Sequence, residues 1–421
     1  MDRFHHELYE LAAPCPLCLQ SRDSAPYASN PVIPSVVCGC LPHPPQKGNL
    51  TLTTHNPLIS PHMFTNRFPH ILLLAMAATL AMALTSCRKE FVMPRASGRP
   101  YEVMVVMSDK DWQARQGRAL FTVLDTDIPG LPQPERSFHI SQVEPKHFDQ
   151  VLNIFRNIIL VDINPKIYTK TSMRFMRDKY AIDQIVLTIQ SPTANDFADF
   201  CFDHGQDIID FLTKMEMNRL VKELKDKHSR KTAELARELF DCELHAPDEI
   251  KSYKRGKDFF WTSSNGASAM VNICMYSYPY EGPETFNKEY VLRKRDSVMA
   301  VNIPGTLPSM HMATDTMCTS VKPIVVHNQY ALEARGLWYM ENDGMGGPFV
   351  SHSRVDTTRN LVIVVEGFVF APEKMKRGLM RRLEGSLYTL NLPHEQTSPI
   401  VTTLEEVAVT AEDRRAARKR Q

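Results

Sequence analysis

Length, composition and charge are typical of a globular protein with more than one domain. The chain has 421 residues, of which 43% are hydrophobic, and this length exceeds that of one ordinary domain. Lys and Arg number 49 against 48 Asp and Glu, so the charge balance gives no reason to expect a nucleic-acid partner. The nine cysteines are too unevenly spread for a small disulfide scaffold.

An uncharged apolar segment predicts export of the chain. Residues 71–84 read ILLLAMAATLAMAL, which is shorter than the roughly twenty residues of a membrane-spanning helix. Met63 lies upstream and is followed by the basic residues Arg67 and His70, as at the start of a signal peptide. The sequence therefore predicts a lipoprotein signal peptide over residues 63–86.

The four residues that follow the apolar segment, Leu84 to Cys87, resemble a lipobox. Two small residues precede a cysteine whose sulfur can accept a diacylglyceryl group, and cleavage then frees its amine for a further chain such as palmitate. Two or three acyl chains hold a protein at a membrane where one does not. We expect Cys87 to be lipidated. Because Arg88 is not an acidic retention signal, the outer membrane is favoured over the inner membrane. The alternative interpretation is a buried helix that ends in LTSC.

Residues 1–62 are expected to lie outside the working protein, as a non-native or disordered extension. They are rich in Pro, Ser, His and Cys and lack a sustained apolar period. The alternative is a zinc site, because a C-x-x-C pair is a common half-site, and its ligands would be Cys15, Cys18, Cys38 and Cys40. The C-G-C pair is spaced too tightly for the usual knuckle, so we predict no metal and no other cofactor.

The remaining chain predicts an α+β fold, with two tandem mixed α/β units and a long connecting helix. Residues 87–100 are polar and Pro-containing, as expected of a tether. The first unit covers 101–244, with strands predicted at 102–107, 138–143, 157–163 and 185–189 and helices after Ser108 and Lys146. A long helical region begins at Thr193 and reaches about Leu239, with an interruption at Gly205.

The second predicted unit covers residues 257–393. Its predicted elements are strands at 258–262 and 269–276, a helix at 284–299, three or four strands through Phe370, and a helix at 373–390. Residues 394–421 are predicted to be a disordered tail. Within them, LEEVAVTA alternates like a strand and resembles the segment by which outer-membrane transporters engage an energising partner; the alternative is that it adds to a sheet edge.

Two stretches near residue 340 resemble a known family. Residues 334–340, ARGLWYM, and residues 345–352, MGGPFVSH, are similar to a family of Bacteroidetes lipoproteins known only as a domain of unknown function. The resemblance extends from the lipobox to about Pro393. It implies a location in the cell envelope and no assigned catalytic residue. Physically, the segment predicts a strand, a turn containing Gly344, Gly346 and Gly347, and a returning strand; the alternative is a ligand-binding loop.

The candidate site centres on a carboxylate in an apolar strand. Glu366 lies within LVIVVEGFVFAP, where an ionised group is costly unless it is paired. Arg335 in the preceding motif is its expected partner. In the functional interpretation these two residues, with His352 and Arg354, form the polar floor of a pocket. In the structural interpretation they are a buried ion pair that fixes strand register.

Two further groups of residues carry weaker signals. Five soft ligands suit Cu(I) but lack the repeated Met-x-x-Met spacing of dedicated copper binders: Met310, His311, Met312, Met317 and Cys318. Four cysteines would face an oxidising compartment after export, where one or two disulfides form: Cys201, Cys242, Cys274 and Cys318. Cys201 and Cys274 lie amid apolar residues, which favours buried thiols.

The sequence contains no GxSxG, HExxH or GxxxxGK[ST] signature. The preferred hypothesis is a lipid-anchored cell-envelope protein of unknown activity, a non-catalytic binding or assembly factor with an envelope protein partner and no nucleic acid. The alternative is an envelope hydrolase acting on cell wall or glycan, with Glu366 or His352 as acid or base. A deep cleft exposing Glu366 favours the enzyme, and a sealed strand face favours the binding protein.

Overall fold

The structure, a computed structural model, describes residues 92–393, 395–400 and 404–410. The predicted extension over 1–62, the predicted signal peptide over 63–86 and Cys87 lie outside the described residues. The described residues belong to one unit of the chain, Lys89–Gln421. Among them no helix has both the length and the apolar character needed to cross a bilayer.

Apolar runs form the strands of the first half, and polar caps begin its helices. The side chain of Ser108 accepts a hydrogen bond from the backbone N–H of Asp111, and Thr193 does the same for Asp196. In chain order the elements are β1 (Glu102–Val106), α1 (Asp109–Gln113), α2 (Arg115–Leu124), β2 (His139–Val143), β3 (Asn157–Ile163), β4 (Ser172–Arg177), β5 (Ile185–Ser191), α3 (Ala194–Asp203) and α4 (Gly205–Asp226).

The second half consists mainly of long antiparallel strands. Its elements are α5 (Arg230–Phe240), β6 (Ser252–Gly256), β7 (Phe259–Ser263), β8 (Met270–Pro279), α6 (Lys288–Asn302), β9 (Met312–Val326), β10 (Gln329–Met340), β11 (Gly346–Asp356), β12 (Leu361–Phe370), α7 (Arg377–Leu387) and β13 (Glu405–Glu406). Short 3₁₀ turns lie at Pro145–His147 and Pro283–Phe286.

The strands form two sheets. The first has the order β13-β4-β5-β3-β1-β2, with parallel pairing throughout except between β4 and β5. The second has the order β6-β7-β8-β12-β11-β10-β9 and is antiparallel throughout. The predicted α+β fold is confirmed, and so is the long helix, since α4 has 22 residues.

Both faces of the second sheet are covered, because alternate residues of a strand point to opposite faces. On one face Val365 packs in a core with Leu235 of α5 and Leu383 of α7. On the other face Val364 packs in a core with Met299 of α6. We call these the α7 face and the α6 face. Helix α4 packs on α7.

One predicted helix is wrong. After the turn at Pro145–His147 the chain continues in turns instead of a helix carrying Phe148, Val151, Leu152 and Phe155. The Asp149 carboxylate accepts hydrogen bonds from the backbone N–H groups of Val151 and Leu152, at 2.9 and 3.1 Å. Such local side-chain bonds compete with helical ones, and Val151 is left exposed.

The predicted tether and tail are both wrong in part. Within 87–100, the backbone N–H of Ala96 donates to Ile182 and that of Ser97 donates to Ile154, so residues 92–100 lie against the body. Within 394–421, Asn218 exchanges two hydrogen bonds with the backbone of Ile400, and Glu405–Glu406 form β13 on β4. Glu405 and Glu406 therefore add to the edge of a sheet, which is the alternative stated for LEEVAVTA.

The predicted hairpin over the family-like segment is confirmed as β10 paired with β11. In the turn of this hairpin Asn342 has a positive φ, 56°, and none of the three predicted glycines has one. Gly347 has another role. A Cβ at this position would overlap the carbonyl oxygen of Val369, which accepts a hydrogen bond from the Trp338 indole at 3.3 Å. Gly347 therefore allows a close approach of strands.

Gly347→Ala should lower the free energy of unfolding by about 1–3 kcal/mol, because the added methyl forces the backbone of Val369 away. Gly344→Ala is the matched control, since nothing lies within 4 Å of a Cβ there. Its effect should stay within about 0.5 kcal/mol. Urea denaturation of both variants measures the difference, and equal losses would contradict the close-approach argument.

Candidate functional site

The predicted pair of Arg335 and Glu366 is wrong, because the two side chains leave opposite faces of the second sheet. Ser351 is registered with Ala334 on β10 and with Glu366 on β12, so these three residues share the α6 face. Arg335 follows Ala334 directly and therefore lies on the α7 face. The sheet itself separates the two charges.

Glu366 is paired with Arg295 of α6 instead. The guanidinium donates two hydrogen bonds to the carboxylate, from Nε at 2.9 Å and from Nη2 at 2.7 Å. Its third nitrogen, Nη1, donates to Thr314 at 2.7 Å, and its plane lies 4.0 Å from the ring centre of Phe349. A bidentate contact of this kind satisfies both partners at once.

This pair is sealed from solvent. Glu366 is 0% exposed and Arg295 is 1% exposed. Burial raises the pKa of the Glu366 carboxyl, and the charge and hydrogen bonds of Arg295 act against that rise. A carboxylate enclosed in this way reaches no substrate, so the geometry gives this residue a structural role on the α6 face.

The α7 face carries a second network, which we call the charge chain: Lys322, Glu333, Arg335, Glu384 and Arg381. Cations and anions alternate along it, with contacts of 3.6, 3.2, 2.6 and 3.1 Å from Lys322 to Arg381. Strands β9 and β10 supply the first three residues and α7 supplies the last two, which lie one helical turn apart. The charge chain thus joins the sheet to the helix that covers it.

The other two predicted residues also lie on the α7 face. His352 is registered opposite Glu333, is 0% exposed, and has its ring 4.8 Å from that of Tyr388. Neither of its ring nitrogens makes a hydrogen bond within the described residues. Arg354 forms an ion pair with Glu395 and so holds the start of the C-terminal segment. Of the four predicted residues, Arg335 alone belongs to the charge chain.

A cavity of about 660 Å³ opens beside the charge chain. One face of α4 lines it with Ile209, Asp210, Thr213 and Lys214 at helical spacing. Residues 126–129 after α2, residues 322–325 of β9, the turn at 327–328 and residues 399–400 complete the walls. This volume lies within the range of small-molecule sites, about 300–1,000 Å³.

Charges in the cavity wall balance in number. The cations are Lys214, Lys322, Arg335 and Arg381, and the anions are Asp127, Asp210, Glu333 and Glu384. Although burial acts to raise it, the pKa of Glu333 is held well below its usual range by Arg335 and His352. Burial alone would lower the pKa of Arg335, but Glu384 and Glu333 raise it. Glu333 therefore stays ionised at neutral pH and cannot act as a general acid.

Several hydrogen-bonding groups of the wall have no partner among the described residues. They are Nε of Arg381, Oγ1 of Thr213 and Nε2 of His327, all buried at the atom. Buried polar groups are nearly always hydrogen-bonded to protein, water or ligand. These three groups, in residues that line the cavity, therefore still need a water or a ligand as a hydrogen-bond partner.

The weaker sequence signals do not form a site. Met312 contacts Arg295, Met310 contacts Thr306, and Met317 is 93% exposed, so the predicted soft ligands do not converge. Among the described residues no group of three His, Cys, Asp or Glu is placed to hold a metal. The cysteines of the described residues are free: Cys201, Cys242 and Cys274 are buried and Cys318 is exposed. Buried thiols at Cys201 and Cys274 are confirmed.

Comparison with known families finds two domains of unknown function. Residues 96–225 match the family model described as Domain of unknown function (DUF8532), and residues 229–389 match Domain of unknown function (DUF4837). No curated protein matches. The activity of the chain is thus unknown at the level of both families.

One solved structure, a crystal structure from Bacteroides thetaiotaomicron VPI-5482 at 1.50 Å resolution, is similar over part of the chain. The identity is 12% and the TM-score is 0.17. The match covers 37% of this chain and 46% of that one, so this chain spans less than half the length of the matched protein.

Glu366→Gln should lower the free energy of unfolding by about 3–5 kcal/mol, because the buried Arg295 charge then keeps only the partly exposed Asp296, at 3.7 Å, as a counter-charge. Glu249→Gln is the control, since Glu249 pairs with Arg382 at the surface and such pairs contribute about 0–1 kcal/mol. Thermal and urea unfolding measure both variants. A Glu366→Gln protein as stable as the control variant would show that the pair with Arg295 stabilises nothing.

Proposed function

We propose that the protein is a lipid-anchored binding protein of the cell envelope and that the cavity beside the charge chain is its ligand site. One observation carries the binding role: the two candidate acid–base residues, Glu366 and His352, are each 0% exposed, while the adjacent cavity is open. Chemistry on a substrate needs an exposed acid or base, whereas binding needs an open pocket with polar groups to fill.

The cavity supports this proposal through the groups that line it. Two isoleucines from α4 and β9, Ile209 and Ile324, contribute apolar surface next to the polar charge chain. A wall that combines apolar surface with polar groups can hold a small organic molecule that has both characters. Residues 399–400 of the C-terminal segment also line the cavity.

The hydrolase alternative is less well supported. The carboxylates of Glu333 and Glu384 both face the cavity, but both are bound to Arg335, and the pKa of Glu333 is lowered. Hydrolysis of a glycosidic bond needs a carboxylic acid that is protonated near neutral pH. The held, ionised Glu333 does not meet that requirement.

The lipid anchor of the proposal depends on the sequence around Cys87, with its lipobox-like LTSC after an apolar segment. Several acyl chains on this residue would hold the body at the bilayer. We assign the anchor to the outer membrane of the envelope, because Arg88 follows the cysteine and is not acidic.

Cys87→Ser should abolish labelling by a fatty-acid probe and move the protein from the membrane fraction to the soluble fraction, because serine offers no thiol to acylate. Cys318→Ser is the matched control, since Cys318 is exposed and far along the chain from the anchor. Density-gradient separation of the two membranes tests the outer-membrane assignment. Unchanged labelling and fractionation of Cys87→Ser would contradict the anchor, as would a native protein that begins at Met1 without lipid.

A further inference from the structure

The charge chain by itself holds one more cation than anions, although the charges of the whole cavity wall balance in number. Three of its members are cations, Lys322, Arg335 and Arg381, and only Glu333 and Glu384 are anions. A cation therefore stands at each end. The Lys322 side chain is 60% exposed, so water solvates that end. The other end has no such access.

Arg381 is the buried end, at 7% exposure. Its single hydrogen bond within the described residues runs from Nη1 to Glu384. Nε is buried without a partner. A guanidinium shielded from water and only half neutralised is costly, since a buried charge needs both a counter-charge and filled donors.

The unfilled donors of Arg381 have a definite geometry. Because Nη1 is occupied, the edge formed by Nε and Nη2 is left. A guanidinium edge of this kind presents two parallel N–H groups, which match the two oxygens of a carboxylate or phosphate. The guanidinium also stacks 5.1 Å from the ring centre of Tyr101, which fixes its plane. Arg381 is thus held in place with its fork unfilled beside a cavity that it lines.

The apolar residues of the cavity wall constrain the rest of the ligand. Besides Ile209 of α4, three isoleucines from separate elements contribute apolar surface: Ile128 after α2, Ile324 of β9 and Ile400 of the C-terminal segment. A bare inorganic anion would leave this surface unfilled. An apolar body attached to the anionic group would bury it and gain roughly 25 cal/mol per Å².

Resting on the proposed function, we infer that the cavity binds a small organic acid, with its carboxylate or phosphate on the Nε–Nη2 edge of Arg381 and its apolar part against the isoleucines. The bound acid completes the charge chain, so that cations and anions are equal in number along it. The two acid types share this chemistry, and the experiment below separates them.

The test is isothermal titration calorimetry on the full chain in detergent, at fixed ionic strength. The probes are phenylacetate, phenyl phosphate and the neutral phenylacetamide. We expect one or both acids to bind at least about tenfold more tightly than the amide, because a charge-assisted fork is lost in the amide. The tighter of the two acids identifies carboxylate or phosphate as the preferred group.

Three variants locate the effect. Arg381→Met should weaken acid binding at least about tenfold and leave amide binding unchanged, whereas Arg381→Lys keeps the charge without the fork and should fall between. Arg382→Met is the matched control, because Arg382 is the next residue of α7, is exposed, and pairs with Glu249 away from the cavity. Should Arg381→Met fail to fold, Arg381→Lys carries the comparison.

Two results would overturn the inference: equal binding of acids and amide, or undiminished acid binding by Arg381→Lys and Arg381→Met. Native mass spectrometry of the protein purified from its own membranes separates this failure from that of the proposed function. A retained acid supports both. A retained neutral molecule overturns the inference and leaves the binding function standing. An empty protein that also binds no probe overturns both.

Discussion

The separation of charge by the second sheet is the constraint on which the rest of the structure depends. Strands β10, β11 and β12 carry ionisable side chains on both faces, and helices cover both faces. Water cannot reach Glu366 or Arg335, so each of these two needs a buried partner. Arg295 of α6 meets Glu366 on one face, and Glu384 of α7 meets Arg335 on the other. The position of each helix is thereby fixed by charge as well as by apolar packing.

The two charge networks differ in whether the hydrogen-bond donors of their arginines are all paired. On the α6 face, every nitrogen of Arg295 has a hydrogen-bond acceptor, and Asp296 lies 3.7 Å away as a second counter-charge. On the α7 face, the charge chain ends in Arg381 at a cavity that α4 lines from the other side. Because α4 follows directly from the first sheet, this second network lies where the two halves of the chain meet. The cavity wall includes residues of both family matches, 96–225 and 229–389, so neither match contains the whole site.

The features that could be predicted from the sequence are those encoded by residues close together in the chain. The buried strands and the β10–β11 hairpin were predicted because short continuous apolar runs and glycine-rich turns are recognised within a few residues. The cost of burying Glu366 was also visible, but its partner was assigned by closeness in sequence to Arg335. Arg295 did carry a signal. It shares the buried stripe of α6 with Val291, Leu292 and Met299, and a charge on an apolar stripe calls for a buried counter-charge.

The remainder depends on contacts between residues distant in sequence. Glu384 and Arg381 lie on α7, and nothing within that helix indicates that they meet β10. The C-terminal segment was predicted to be a disordered tail, with addition of LEEVAVTA to a sheet edge as an alternative. Its order comes from single contacts instead: Glu395 with Arg354, Ser398 with His327, and Ile400 with Asn218.

Buried ion pairs by themselves are weak evidence of stability, because desolvation costs offset much of their attraction. A sealed, balanced pair such as Arg295 and Glu366 is explained by the packing it fixes. The same account does not extend to the charge chain, since a network kept only for packing has no reason to leave a guanidinium fork unfilled beside open space. An anion bound in the cavity would fill these donors of Arg381, and this is the basis on which we infer a site on the α7 face and not on the α6 face.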